Sequence, residues 1–292
     1  MAFETVILTE SQVSAGLRAA GVWPSTGPLS DISPAGEDDL TGSPFAALTD
    51  ESREFLETLG APARVIRATT VTRNVPGAGT TTFLARRDSG PYVAVARDEA
   101  GFAFAPLSTG AEAAVVVASH LGIAVEAPQG GAASIDAGGW SLLAALGDQP
   151  ESSSVADLEN VLAGEPGRVA KLFRTIGPVP LEFPDDPISA ARGLAIAGVL
   201  TERSGSINLT KQGRGVVESL SAFAVGGSLT IDHLSVGRTR RVAMLSFIRS
   251  PERMFMGVWS ARKSVISLAL GEPGATDAIF AIRALIDAPS AL

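Results

Sequence analysis

The feature that most constrains this sequence is an internal repeat. Leu48-Thr49 and Leu209-Thr210 begin two stretches with the same order of helix, four strands and helix. Each threonine precedes apolar residues at helical spacing, where its hydroxyl can accept a hydrogen bond from the first helical turn. A repeat of this length predicts two copies of one supersecondary unit that bury their apolar faces together.

Within each copy, the pattern predicts four antiparallel strands and a closing helix. Short polar or glycine-bearing connectors are typical of hairpins and too short for crossover connections. The predicted strands are 63–71, 81–87, 92–98 and 101–106 in the first copy, and 227–235, 240–249, 254–260 and 263–270 in the second. The closing helices are 110–121 and 274–286. The expected fold is α+β, with a duplicated unit giving a pseudo-two-fold and a central antiparallel sheet flanked by helical bundles.

The repeat also predicts how the chain divides. Residues 1–126 form the first α+β repeat, residues 127–139 a Gly/Ala-rich linker, and residues 140–292 a helical segment followed by the second repeat. Upstream of each copy, Gly21 and Gly198 are predicted to follow a helix in the C′ position, where glycine readily adopts a left-handed conformation.

Charge and cysteine content limit the possible partners. The chain carries 23 Lys and Arg against 31 Asp and Glu, a net charge of −8, which argues against a general nucleic-acid surface. Arg86-Arg87 and the cluster Arg238, Arg240 and Arg241 are interpreted as solvated strand ends. With no cysteine in the chain, disulfides and thiolate metal sites are excluded. No uninterrupted apolar run has membrane-spanning length, so we expect no membrane insertion and a cytoplasmic location.

Residues that could carry catalysis are few. The two histidines, His120 and His233, occupy non-equivalent places in the repeats and belong to no metal-binding motif. His120 is interpreted as a satisfied residue of an apolar helix, and His233 as a strand residue whose neighbour Asp232 points to the opposite face. No glycine-rich segment has phosphate-loop form. We therefore predict no catalytic, cofactor-binding or metal-binding residues and no cofactor, with an enzyme of unrecognised type as an alternative.

A second alternative comes from residues 188–211. A helix, a hairpin and a further helix led by Leu209-Thr210 resemble the wing region of winged-helix proteins. DNA-binding versions need a cationic recognition helix, whereas the helix here carries Arg192 alone, with Asp185 and Asp186 near its start. The segment indicates a winged-helix regulator or adaptor as a possible function, and DNA binding is disfavoured.

The strand patterns resemble the EspG family, the secretion-associated chaperones of type VII (ESX) systems in mycobacteria and related actinobacteria. The resemblance covers most of the chain at the level of element order. It is carried by Arg64-Val-Ile-Arg-Ala, Phe83-Leu-Ala-Arg-Arg and Tyr92-Val-Ala-Val-Ala in the first copy. Arg241-Val-Ala-Met-Leu and Met254-Phe-Met-Gly-Val carry it in the second. These motifs are structural, and they fit a family member or a distant relative.

The resemblance implies a cytosolic chaperone that binds a helical PE–PPE-type substrate and shields its apolar tip. It also implies a partner-binding loop after the first strand of the repeat. In this sequence that loop is Arg73, Asn74, Val75, Pro76, Gly77 and Ala78. Val75 is expected to contribute an apolar contact, and Arg73 and Asn74 polar contacts at the rim.

Overall fold

The computed structural model is built on antiparallel strands and helices, which confirms the α+β prediction. It describes residues 6–22, 24, 27–32, 49–72, 79–87, 90–98, 101–123, 133–147, 153–165, 167, 171, 184–222, 225–235, 238–249, 254–260, 267–270 and 275–287.

Within each repeat, the helices and strands follow one another in the predicted order of helix, four strands and helix. The helices in the described ranges are α1 (Glu10–Ala19), α2 (Asp50–Gly60), α3 (Gly110–His120), α4 (Ala137–Gly147), α5 (Leu158–Ala163), α6 (Pro187–Ile196), α7 (Lys211–Ser221) and α8 (Ala275–Asp287). The strands are β1 (Val6–Leu8), β2 (Arg64–Thr72), β3 (Gly79–Arg86), β4 (Tyr92–Asp98), β5 (Gly101–Leu107), β6 (Ala133–Asp136), β7 (Ser153–Ser154), β8 (Leu200–Arg203), β9 (Ser206–Leu209), β10 (Val225–Ser235), β11 (Arg238–Arg249), β12 (Met254–Ser260) and β13 (Ser267–Leu270). The first repeat is α2, β2 to β5 and α3, and the second is α7, β10 to β13 and α8.

Ten of these strands form one sheet, in the order β1-β5-β4-β3-β2-β10-β11-β12-β13-β6. The meander β2 to β5 and the meander β10 to β13 are therefore joined edge to edge within one sheet. Their junction is the antiparallel pair β2–β10, which runs in register from Thr72 opposite Val225 to Arg64 opposite His233. This order agrees with two similar units, while their common origin by duplication stays a prediction.

The predicted threonine caps are present at the start of both equivalent helices. Thr49 accepts a hydrogen bond from the backbone N–H of Ser52 at 3.1 Å before α2. Thr210 accepts one from Gly213 at 3.0 Å before α7. In each case the side chain satisfies a donor that the helix itself leaves unpaired.

The two predicted C′ glycines also adopt the expected conformation. Gly21 after α1 has a φ of 71° and Gly198 after α6 has a φ of 73°. The residue after each glycine then donates its N–H back to the helix, Val22 to Leu17 at 2.9 Å and Val199 to Leu194 at 3.0 Å. This is a Schellman motif, which satisfies the last carbonyl groups of the helix.

On one face of the sheet, α3 and α8 cover the strands of both meanders. Ile66 of β2, Leu229 of β10, Leu245 of β11 and Ile282 of α8 belong to one buried cluster. The two halves thus share a single hydrophobic core on this face.

The opposite face is covered by separate groups of helices. Near β4 and β5, α1 and α2 bury a second cluster that includes Val95 and Phe104. Near β6, the helices α4 to α7 and the small sheet β7-β9-β8 bury a third cluster around Trp140 and Leu194. Between these two clusters lie the central strands β2, β3 and β10.

The structure differs from the sequence prediction in the region predicted as a linker. Within 127–139, residues 133–136 form β6 at the edge of the sheet, and α4 begins at Ala137. Ile135 is buried and lies opposite Leu268 of β13. With a single large apolar side chain, a strand this short has no readable alternation, so its partner strand decides its conformation. The short edge strand β1 was likewise not predicted.

Candidate protein-binding surface

The loop predicted to bind a partner connects β2 to β3. Its six residues, Arg73, Asn74, Val75, Pro76, Gly77 and Ala78, lie outside the described residues. The strands on either side place its two ends, because Val71 of β2 lies opposite Gly79 of β3. Thr72 of β2 lies opposite Val225 of β10, so the ends are in the middle of the ten-stranded sheet and beside the junction of the two meanders.

A polar and aromatic surface extends from these strand ends along the face of the sheet opposite α3 and α8. We call it the central face and define it by Arg67, Thr69 and Val71 of β2, Thr81 and Phe83 of β3, and Ser228 of β10. The strand register puts these side chains on the same side, since Arg67 lies opposite Phe83 and Thr69 lies opposite both Thr81 and Ser228. Arg67 is exposed and the other five are half-buried.

Contacts within the central face hold its side chains in place. The guanidinium carbon of Arg67 lies 5.3 Å from the centre of the Phe83 ring, a cation–π geometry. The hydroxyl oxygens of Thr69 and Thr81 are 3.3 Å apart. Arginine and aromatic side chains are both enriched at protein interfaces, so the stacked pair Arg67–Phe83 is the part of this face best suited to a protein contact.

Buried side chains border the central face. Val65 of β2, Thr230 of β10, which lies opposite Arg67, and Met244 of β11 are buried on the same side of the sheet. Toward the loop, Thr69, Val71 and Ser228 remain partly accessible. The accessible part of the central face therefore adjoins the strand ends that lead into residues 73–78. The sequence prediction of a partner-binding site was limited to those six residues and did not include this surface. The central face could have been found in the sequence from the spacing of Arg67, Thr69 and Val71, because every second residue of a strand lies on the same face.

Both histidines lie on the other face of the sheet, and they have different surroundings. The Nδ1 atom of His120 is 2.8 Å from the hydroxyl of Thr82, and its Nε2 atom is 3.2 Å from the carbonyl oxygen of Thr80. These contacts agree with the prediction of a satisfied histidine in α3.

His233 stands on β10 between two arginines. It lies opposite Arg64 of β2 and opposite Arg240 of β11. Burial lowers the pKa of its imidazole, Arg64 and Arg240 lower it further, and Asp232 partly opposes them. Asp232 points to the opposite face, as predicted, and binds Arg241 there at 3.0 Å.

The first meander is also tied to the C-terminal end of α8. Arg64, which is buried, donates from Nη2 to the carbonyl oxygen of Leu285 at 3.0 Å. The hydroxyl of Tyr92 donates to the carbonyl oxygen of Ile286 at 3.2 Å. These donors satisfy carbonyl groups that end the helix without intrahelical partners.

The wing-like segment has the local structure that the sequence predicted: α6, the hairpin β8–β9 and then α7. Two isoleucines of α6 are exposed, Ile188 to 46% and Ile196 to 89%, and Arg192 lies between them. An apolar surface with a single cation suits a protein contact better than a phosphate backbone.

Neither a metal-binding cluster nor a membrane-spanning helix is present within the described ranges. No group of three or more His, Asp or Glu side chains in that part of the chain is placed to hold a metal ion. No helix there has both the length and the apolar character needed to cross a bilayer.

Comparison with known proteins identifies a solved structure of similar fold and low sequence identity. No family model matches the chain, and no curated protein matches it. Among solved structures, the chain is similar to the Mycobacterium tuberculosis type VII secretion system chaperone EspG5, solved in complex with the PE25–PPE41 dimer. The similarity covers 97% of this chain and 96% of that one, with a TM-score of 0.56 and 10% sequence identity. The chain therefore has a fold similar to that of EspG5 over nearly all of its length.

Proposed function

We propose that the protein is a cytosolic secretion chaperone that binds a helical PE–PPE-type substrate and is not an enzyme. The observation that carries the proposal is the fold likeness to a type VII secretion chaperone over nearly the whole of both chains. The chaperone covers an apolar tip of its substrate, which would otherwise associate with other copies.

The binding surface in this proposal is the central face together with the loop of residues 73–78. Phe83 and Val71 supply apolar area, and Arg67 supplies a cation that is already oriented by the ring beneath it. Because the strands fix these side chains, little conformational entropy is lost on binding. Val75 of the loop adds the apolar contact expected from the sequence.

Co-expression with PE–PPE pairs and co-purification through a tag on this chain test the proposal. We expect a stable complex with a cognate pair. The substitution Arg67→Glu should lower the affinity about tenfold or more, because it removes a central cation and its ring contact. Arg203→Glu is the matched control: Arg203 is exposed on β8, away from the central face, and the charge change is the same. Failure to hold any PE–PPE pair would overturn the proposal.

The runner-up is an adaptor that uses the wing-like segment, favoured by the exposed isoleucines of α6. The same co-purification separates the two functions with the variant Ile196→Asp. Loss of the complex with Ile196→Asp and its retention with Arg67→Glu would favour the adaptor.

A further inference from the structure

The two arginine clusters interpreted from the sequence as solvated strand ends come together at one end of the sheet. Arg86 of β3 lies opposite Arg64 of β2, Arg64 opposite His233 of β10, and His233 opposite Arg240 of β11. Directly opposed residues share a face of the sheet. Four adjacent strands thus carry a row of basic residues on the face that α8 covers. We call this row, with Arg238 beside it, the basic corner.

No acidic side chain neutralises this row within the described ranges. Arg64 and Arg86 donate to the neutral carbonyl oxygens of Leu285 and Gly90, at 3.0 and 2.9 Å. Asp287 attracts Arg64, but its own ion pair is with Arg283 at 3.3 Å.

Arg241 provides a contrast on the neighbouring position of the same strand. Its side chain lies on the other face of the sheet, where it donates to both carboxylate oxygens of Asp232, at 3.0 and 3.4 Å. The register between β10 and β11 shifts between Ile231 and Asp232, so that Asp232 lies opposite Arg241 and His233 lies opposite Arg240. Arg241 is therefore neutralised by Asp232, whereas Arg240 forms no ion pair with the described residues.

The part of the row formed by β10 and β11 is open to a ligand. Arg238 and Arg240 are exposed and His233 is half-buried. The Nε2 atom of His233 and the Nε atom of Arg64 are themselves buried and have no hydrogen-bond partner among the described residues. Like charges held side by side destabilise a sheet, and a bound anion would relieve that repulsion. The net charge of the chain is −8, so the positive charge here is local.

We propose that the basic corner binds an acidic peptide segment of a protein partner, with a carboxylate between His233 and Arg240. This inference rests on the proposed function, because the partner protein supplies the segment. A peptide fits better than a nucleic acid, since the accessible part of the row holds three basic side chains among the described residues, those of Arg238, His233 and Arg240. A polyanionic strand needs a longer basic stripe and would be repelled by the acidic remainder of the chain.

A fluorescein-labelled peptide of alternating Glu and Ser, titrated with the full chain at low ionic strength, tests the site. The control peptide of equal length carries Gln in place of Glu. We expect saturable binding of the Glu peptide alone, weakened about tenfold by Arg240→Glu and changed less than about twofold by Arg203→Glu. Binding should also tighten as the pH falls toward the pKa of His233, which burial, Arg64 and Arg240 lower, because protonated His233 attracts the carboxylate. The substitution His233→Gln should remove this effect.

Several outcomes would overturn the inference. Absence of saturable binding would do so, as would equal losses with Arg240→Glu and Arg203→Glu. Displacement of the peptide by inorganic phosphate at an equal concentration of negative charge would indicate a small-oxyanion site. Tighter binding of an oligonucleotide than of the peptide would indicate a nucleic-acid partner. Failure of this inference is distinguishable from failure of the proposed function. If the chain holds a PE–PPE pair and Arg240→Glu leaves peptide binding unchanged, the inference about the basic corner alone fails.

Discussion

Threonine residues of β2 and β3 use their hydroxyl groups differently on the two faces of the sheet. On the central face, Thr69 and Thr81 form a half-buried pair. On the other face, the buried hydroxyl of Thr82 contacts the Nδ1 atom of His120 at 2.8 Å. A buried polar group that loses its partner is more costly than an accessible one, because water cannot replace the lost contact.

The substitutions Thr82→Val and Thr81→Val test this difference at the level of single residues. Thr82→Val should lower the free energy of unfolding by about 1–2 kcal/mol, since it leaves a ring nitrogen of His120 without its partner. Thr81→Val, on the accessible face, should change it by less than about 0.5 kcal/mol. Urea denaturation measures both values. Equal effects would contradict this account of the His120 contact.

His233 predicts a dependence of stability on pH. Burial, Arg64 and Arg240 lower its pKa in the folded chain, whereas the unfolded chain retains a value of about 6.5. The unfolded state therefore binds the proton more readily. The free energy of unfolding should fall as the pH drops through about 6.5, and this effect should level off below the folded-state pKa.

Denaturation curves of the wild type and His233→Gln across this pH range isolate the contribution of His233, because the other titrating groups are common to both. The wild type should lose more stability on acidification than the variant. Parallel curves would show that protonation of His233 does not oppose folding.

At the level of elements, helix ends were more predictable than short strands. The threonine caps and the C′ glycines depend on neighbours within a few residues, so they could be read from the sequence. Strands β2 to β5 were also predictable, since each is a run of seven or more residues rich in apolar or β-branched side chains. The strand β6 and the central face depend on residues distant in the chain. Ile135 pairs with β13, and Arg67 meets Phe83 only once the hairpin has formed.

Two glycines near the end of α6 should respond oppositely to alanine. Gly198 has a φ of 73°, so Gly198→Ala forces a side chain into a left-handed conformation and should destabilise the protein by about 1 kcal/mol. Gly193 lies inside α6 with open space around it, so Gly193→Ala should stabilise the protein by up to about 1 kcal/mol. Thermal denaturation compares the two, and a shift of the same sign for both would contradict the assigned helix end.

For the whole molecule, the decisive feature is the core beneath α3 and α8, which takes residues from both meanders. Ile66, Leu229, Leu245 and Ile282 pack in one cluster across the β2–β10 junction. A shared core couples the unfolding of its parts. The division of the chain into residues 1–126, a linker and residues 140–292 stays a prediction, and unfolding measurements test whether the two parts unfold separately.

The shared core predicts a single unfolding transition. Leu229 is fully buried, and Leu229→Ala should lower the free energy of unfolding by about 2–5 kcal/mol through transfer and cavity effects. Far-UV circular dichroism and tryptophan fluorescence, which includes the buried Trp140 of the C-terminal helical cluster, should shift together. Two separate transitions, with Leu229→Ala affecting one of them, would instead support independent domains.

The central claim is that a protein partner occupies the central face, and the absence of cysteine from the chain makes a direct test practical. Single-cysteine variants Thr69→Cys and Ser228→Cys place a thiol on the central face, and Ser119→Cys places one on the exposed surface of α3. The measurement is the rate of maleimide labelling of each variant with and without a bound PE–PPE pair. If the partner covers the central face, labelling should be about tenfold slower or more at Thr69→Cys and Ser228→Cys, with no change at Ser119→Cys. Unchanged rates at both central positions, with protection at Ser119→Cys, would contradict this claim.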